Sequence, residues 1–129
     1  MPTPATPVSK ASRRAGQILG GLLIVFLVFD GGIKLMPPQS VLELSAAMGI
    51  DAAFLAKIGV TLLCCTLLYA IPRTSVLGAI LLTGYLGGAT FVHASVGQPF
   101  YFPIVFGILL WAALFLRDRT IQGLIPVRR

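Results

Sequence analysis

Charge is the scarcest property of this sequence. Ten Lys and Arg and four Asp and Glu make up 11% of 129 residues, while 57% are hydrophobic; soluble domains carry roughly a quarter charged residues. A water-soluble globule is thereby excluded, and the length is that of one domain. The scarcity is also patterned. No Asp, Glu, Lys or Arg stands between Arg14 and Asp30, between Lys57 and Arg73, or between Arg73 and Arg117. Apolar tracts of this kind are membrane spans.

Cysteine and histidine are nearly as scarce. The two cysteines, Cys64 and Cys65, are adjacent within an apolar run. Neighbours on a helix point about 100° apart and cannot close an unstrained bridge, and no CxxC or Cys/His ligand spacing is present. They are expected to be small apolar packing residues. The single histidine, His93, has no second ligand at metal spacing. No Ser/His/Asp set, phosphate loop or dinucleotide fingerprint is present, so no catalytic residue and no metal site is predicted, and the reading leans away from stand-alone enzyme activity.

What is there is a net charge of +6, held in short basic clusters at the ends of the apolar runs. Clusters so placed read as topology signals facing anionic headgroups rather than as a nucleic-acid surface. The lipid bilayer is the expected partner, and nucleic acid is not.

Residues 1–14, with three prolines and three basic residues, have the composition of a disordered cytoplasmic tail. A first span is predicted over about 16–36. Read as a signal peptide, that segment would need its small-residue site at Ala46 and Ala47, too far beyond the apolar stretch, so no cleavage is expected. Pro37 and Pro38 stop the span. Ser40-Val-Leu-Glu43 then has the capping-box pattern of a short helix, ending at Gly49, where a left-handed residue costs little. A second span covers about 54–71 and stops at Pro72. The stretch from Thr74 to Leu116 is too long for one span of about 20 residues and must turn at Ser95-Val-Gly-Gln-Pro99, giving spans over about 74–96 and 100–116. The predicted fold is all-α: a four-helix transmembrane bundle over residues 15–117, with a short interfacial helix after the first span and a basic cytoplasmic tail over 118–129.

With both termini on one side, that side holds Lys10, Arg13, Arg14, Arg73, Arg117, Arg119, Arg128 and Arg129, leaving only Lys34 and Lys57 on the other. The positive-inside rule places the termini in the cytoplasm, as for a multi-pass protein of a cell inner membrane. Gly16 and Gly20 form GxxxG in the first span; Gly84 and Gly88 repeat it in the third, with Gly87 widening the flat face. Such spacing lets helices approach closely. It leaves open whether the contact is internal or makes a homo-oligomer; the internal bundle is the expectation, because four helices must already pack.

Few residues could carry chemistry. Asp30 and Lys34 are spaced i, i+4, so an ion pair is available. Asp30 lies about 24 Å from Arg14 along a straight helix and His93 about 28 Å from Thr74, comparable depths on the outer side. Tyr85 lies about two turns deeper than His93, and Gln98 flanks the turn into the fourth span. These five, Asp30, Lys34, Tyr85, His93 and Gln98, form the candidate ligand site, an outward-facing polar pocket between the first and third spans. Phe100, Tyr101, Phe102, Trp111 and Phe115 match aromatic belts at the two ends of the fourth span.

The segments FDGGIKLMPP (29–38), IPRTSVLGAILLTGYLGGATFVHASVGQP (71–99) and FLRDR (115–119) resemble the DoxX-like family of small bacterial membrane proteins. The resemblance covers roughly residues 16–126 and implies a four-helix membrane bundle. The wider DoxX group is associated with quinone-linked oxidation, including a subunit of a thiosulfate:quinone oxidoreductase, whereas most DoxX-like members have no assigned activity. A quinone is thus implied by the resemblance alone, and no other cofactor is predicted. Relatives often carry an acidic residue in the second span where alignment on IPRT puts Leu62, so a proton-linked role resting on that carboxylate does not carry over. Two classes of function follow. One is a non-catalytic membrane subunit, or a module binding a quinone or lipid-like molecule, that supports a redox-enzyme partner. The alternative is a small four-span transporter, a class of similar size that depends on a carboxylate deep in its first span.

Overall fold

A computed structural model describes residues 7–128 and is helical throughout, with no strand among the described residues. The elements in chain order are α1 (Lys10–Leu35), α2 (Gln39–Ala47), α3 (Ala52–Ala70), a single 3-10 turn (Pro72–Thr74), α4 (Ser75–Ser95), α5 (Tyr101–Arg117) and α6 (Arg119–Leu124). The first and last residues of the expected tails, 1–6 and 129, lie outside the described residues.

Capping explains where several elements begin. The Ser9 hydroxyl accepts from the Ser12 amide at 3.1 Å, so α1 starts at Lys10 and the basic cluster through Arg14 is helical rather than part of a tail. The Asp51 carboxylate accepts from the Phe54 amide at 2.7 Å and starts α3 at Ala52. In the expected C-terminal tail, Asp118 accepts from the amides of Thr120 and Ile121 and starts α6. The capping box at Ser40 does not form. Pro38 occupies the N-cap of α2, which begins two residues earlier than that box requires, and the Glu43 carboxylate meets Gln39 at 3.5 Å instead. Gly49 and Gly97, with φ of +77° and +72°, make the left-handed stops after α2 and α4.

α1 packs on α3 and α5, and α4 packs on the same two helices, so the four close a ring with alternating direction. α1 and α4 stand at opposite corners, as do α3 and α5. Leu23 and Leu27 of α1, Leu62, Cys65 and Tyr69 of α3, Ala79, Leu82 and Leu86 of α4, and Phe106, Leu110 and Leu114 of α5 fill the middle. Outside, the bundle is apolar too: Leu22, Val25, Phe29, Leu67, Phe91 and Ile108 are all exposed. That inverted surface needs a hydrocarbon solvent. α1, α3 and α4 with its leading turn are long and apolar enough to cross a membrane, and α5 is a shorter apolar helix of 17 residues.

Helix approach is set by glycines with no room for a side chain, three of them held against a neighbouring backbone. A Cβ on Gly16 would come within 2.7 Å of the Ala113 carbonyl of α5. One on Gly59 of α3 would stand 2.9 Å from both the Gly31 carbonyl and the Lys34 Cβ of α1. One on Gly78 of α4 would meet the Tyr69 amide nitrogen at 2.2 Å. Gly20 is looser, with Ala113 and Arg117 at 3.8 Å, and Gly84, Gly87 and Gly88 have open space where the side chain would be. The GxxxG face of α4 therefore makes no contact within the chain, because α4 turns its Gly78, Leu82 and Leu86 face inward instead.

Candidate functional site

The ion pair available to α1 forms: Lys34 Nζ donates to Asp30 Oδ2 at 2.6 Å, and both side chains are half-buried. The pair sits at the end of the bundle that carries α2, beside the close crossing of Gly31 and Gly59. Gly59, having no side chain, leaves the space that the Lys34 stem occupies.

Tyr85 reaches into the bundle from α4, packing against the core, within electrostatic reach of the Asp30 carboxylate and of Cys65. His93, half-buried in the last turn of α4, turns its ring back on its own helix, with Nδ1 2.7 Å from the Ala89 carbonyl. A carbonyl only accepts, so that nitrogen carries the proton. The Gln98 amide donates to the His93 carbonyl at 2.9 Å, holding the turn after α4 against the helix end. Thus Asp30 and Lys34 are bonded to each other, Tyr85 packs on the core from the opposite corner, and His93 and Gln98 share one turn. His93 makes no side-chain bond to any of the other four. Cys65 lies in the core and Cys64 is exposed, both as free thiols.

Two features were not read from the sequence. The first is a groove of about 700 Å³ between α4 and α5, walled by Thr83, Leu86, Gly87, Gly107, Ile108 and Trp111 among others. Its polar groups are already engaged. Trp111 Nε1 donates to Thr83 Oγ1 at 2.8 Å, Thr83 Oγ1 to the Ala79 carbonyl at 2.7 Å, and Thr90 Oγ1 to the Leu86 carbonyl at 2.7 Å. Gly87 opens this groove by leaving out a side chain.

The second feature is Arg117, read from sequence as a topology charge. Side chains on a helix lean toward its N-terminus, and that of Arg117 runs back into the bundle. Its guanidinium lies 5.7 Å from the centre of the Tyr69 ring and beside Gly20 of α1. Tyr69 is fully buried and donates to the Leu110 carbonyl at 2.8 Å. The arginine's Nε and Nη2 are sealed from water and have no partner among the described residues.

The sequence pattern of the DoxX-like family matches residues 18–113. The chain belongs to the DoxX-like family. No curated protein and no solved structure matches it. Family membership and the apolar helices together make it a multi-pass membrane protein. The matched residues include Asp30, Lys34, Tyr85, His93 and Gln98 and most of the groove between α4 and α5, whereas Gly16 and Arg117 lie outside them.

A quinone, implied by the wider DoxX group, needs an apolar berth for its tail and a hydrogen-bond donor for each ring carbonyl. The groove of this DoxX-like chain fits the first need. It does not meet the second, since its hydroxyls and the Trp111 N–H already donate within the chain. No group of three His, Cys, Asp or Glu among the described residues is placed to hold a metal ion.

Proposed function

We propose that this DoxX-like protein is a four-span subunit of a bacterial inner membrane, with both termini in the cytoplasm. In that role it holds an apolar, lipid-like molecule between α4 and α5 and supports a redox-enzyme partner without chemistry of its own. The observation that carries the reading is the groove: about 700 Å³ of space whose polar side chains are all engaged internally, a berth for hydrocarbon rather than for a polar ring. α5 counts as the fourth span because its 17 residues extend about 25 Å and it runs the length of α1, from Gly16 against Ala113 to Phe26 against Phe102 and Phe106. A transporter would need a carboxylate free to exchange protons. Asp30 is held by Lys34, which favours the subunit reading.

The test is photolabelling in nanodiscs with a phosphatidylcholine carrying a diazirine in its acyl chain. Adducts should concentrate on the groove walls, Gly87 and Ile108 above all, and Gly87→Leu should remove that concentration while leaving the helical circular dichroism intact. Adducts spread evenly over the outer faces of α1, α3 and α4 would mean that the groove holds nothing in particular.

A further inference from the structure

The end of the bundle that carries both termini contains a second cleft, of about 330 Å³, where the start of α1, the turn leading into α4 and the junction of α5 with α6 meet. Arg13, Arg117 and Arg119 line it, and Asp118 is its sole acidic residue. Asp118 is occupied: its carboxylate accepts from the Thr120 amide at 2.8 Å and the Ile121 amide at 3.4 Å as the cap of α6. Ser75, on the wall, spends its hydroxyl on the Tyr69 and Ile71 carbonyls. Arg119 meets only the neutral side chain of Gln122, at 3.3 Å. Among the described residues, no carboxylate comes within ion-pair distance of any of the three guanidinium groups.

Arg117 is the most exacting of the three. A guanidinium withdrawn from water needs a counter-charge or a full set of acceptors. Its Nε and Nη2 make no well-formed hydrogen bond among the described residues, and the neutral Tyr69 side chain beside them supplies no counter-charge. Nε and Nη2 lie on one edge of the guanidinium, the two-donor edge that grips adjacent oxygens of an oxyanion. Arg117 already lines the cleft, and use of this edge there requires the side chain to turn about its outer torsions away from Gly20 and Tyr69.

We propose that this cleft binds the phosphate of an anionic ligand, held by Arg13, Arg117 and Arg119. Three arginines against one aspartate leave an excess of two positive charges, which suits a phosphate. A tetrahedral oxyanion can also face three guanidinium groups at once, whereas a carboxylate has only two oxygens to offer. The site stands apart from the groove between α4 and α5 and does not depend on what that groove holds. The phosphate can belong to a lipid headgroup at the membrane surface or to a soluble phosphate.

The experiment uses the full chain, in nanodiscs of phosphatidylcholine doped with phosphatidylglycerol and in detergent with added inorganic phosphate. Native mass spectrometry reads retained lipid, and phosphorus NMR line broadening reads free phosphate. Arg13→Gln with Arg119→Gln should lower retention about thirtyfold, following the usual contribution of two interfacial arginines. Arg14→Gln with Arg73→Gln removes as much charge from the same end but outside the cleft, and should lower retention clearly less than the cleft pair does. Arg117→Lys, which keeps the charge and loses the two-donor edge, should weaken binding without changing the helical content. Retention of phosphatidylglycerol that inorganic phosphate does not displace supports the site with a lipid as the source. Displacement supports it with the phosphate group sufficient. Equal losses in the two double variants would mean diffuse surface attraction and overturn the proposal, as would the absence of binding in both media.

Discussion

Lys34 and Asp30, 2.6 Å apart on one face of α1, neutralise each other before any other group has to. Single neutralisation strands a charge in a medium of low dielectric, and removal of both does not. Asp30→Asn or Lys34→Met alone should therefore lower the yield of folded protein more than the two together. Additive losses in that double-mutant cycle would show that the contact contributes nothing. Tyr69→Phe should cost about 1 kcal/mol in thermal or denaturant unfolding, from the lost bond to the Leu110 carbonyl, while the ring beneath Arg117 stays in place. Tyr69→Leu, which removes the ring as well, should cost more. The pair was legible in sequence because four residues along a helix return to the same face. Arg117 was not: a basic residue at the end of an apolar run has the same appearance whether it reaches out to headgroups or folds inward, and its burial is decided by Gly20 and Tyr69 on two other helices.

Among the helices, apolar length and proline placed the elements, while side-chain caps shifted their first residues. α1 and α3 begin where Ser9 and Asp51 accept amides rather than where the hydrophobic run begins. Glycine spacing was a weaker guide. GxxxG marks a flat face but not the neighbour it meets, so it found Gly16, which does touch α5, together with Gly84 and Gly88, which touch nothing within the chain. It missed Gly59 and Gly78, which sit singly at close crossings, because a lone glycine has no pattern to read. Gly78→Ala should destabilise the hairpin of α3 and α4 by about 1–3 kcal/mol, the usual cost of forcing extra atoms into a packed site, read as a lower midpoint of thermal unfolding in detergent. Gly84→Ala, with open space at its Cβ, should leave that midpoint unchanged or slightly raised through better helix propensity. A lowered midpoint for Gly84→Ala, seen only at high protein concentration, would instead place that face between two copies.

For the whole molecule, the four-span reading proposed above gives an even crossing of the bilayer: with the ring of alternating helices inside its exposed apolar belt, the start of α1 and α6 emerge on one side and the α2 segment on the other with the turn at Gly97. The apolar helices themselves were legible from charge spacing, because polar backbone tolerates lipid only as helix and each helix must end where charge resumes. Side-to-side neighbours were not legible, since rotation and order around the ring depend on which small residues meet. The proposed orientation rests on a count. The end where α1 begins carries Lys10, Arg13, Arg14, Arg73, Arg117 and Arg119, against Lys34 and Lys57 at the other, and the positive-inside rule predicts the richer side to be cytoplasmic. Reporter fusions after residues 50, 73, 97 and 129 should then read outside, inside, outside and inside. Reversed readings at all four sites would keep the bundle and move the arginine cleft to the outer surface. Matching readings at 73 and 97 would remove α4 as a span and with it the membrane-facing groove, because two points on one side cannot be joined by a single crossing.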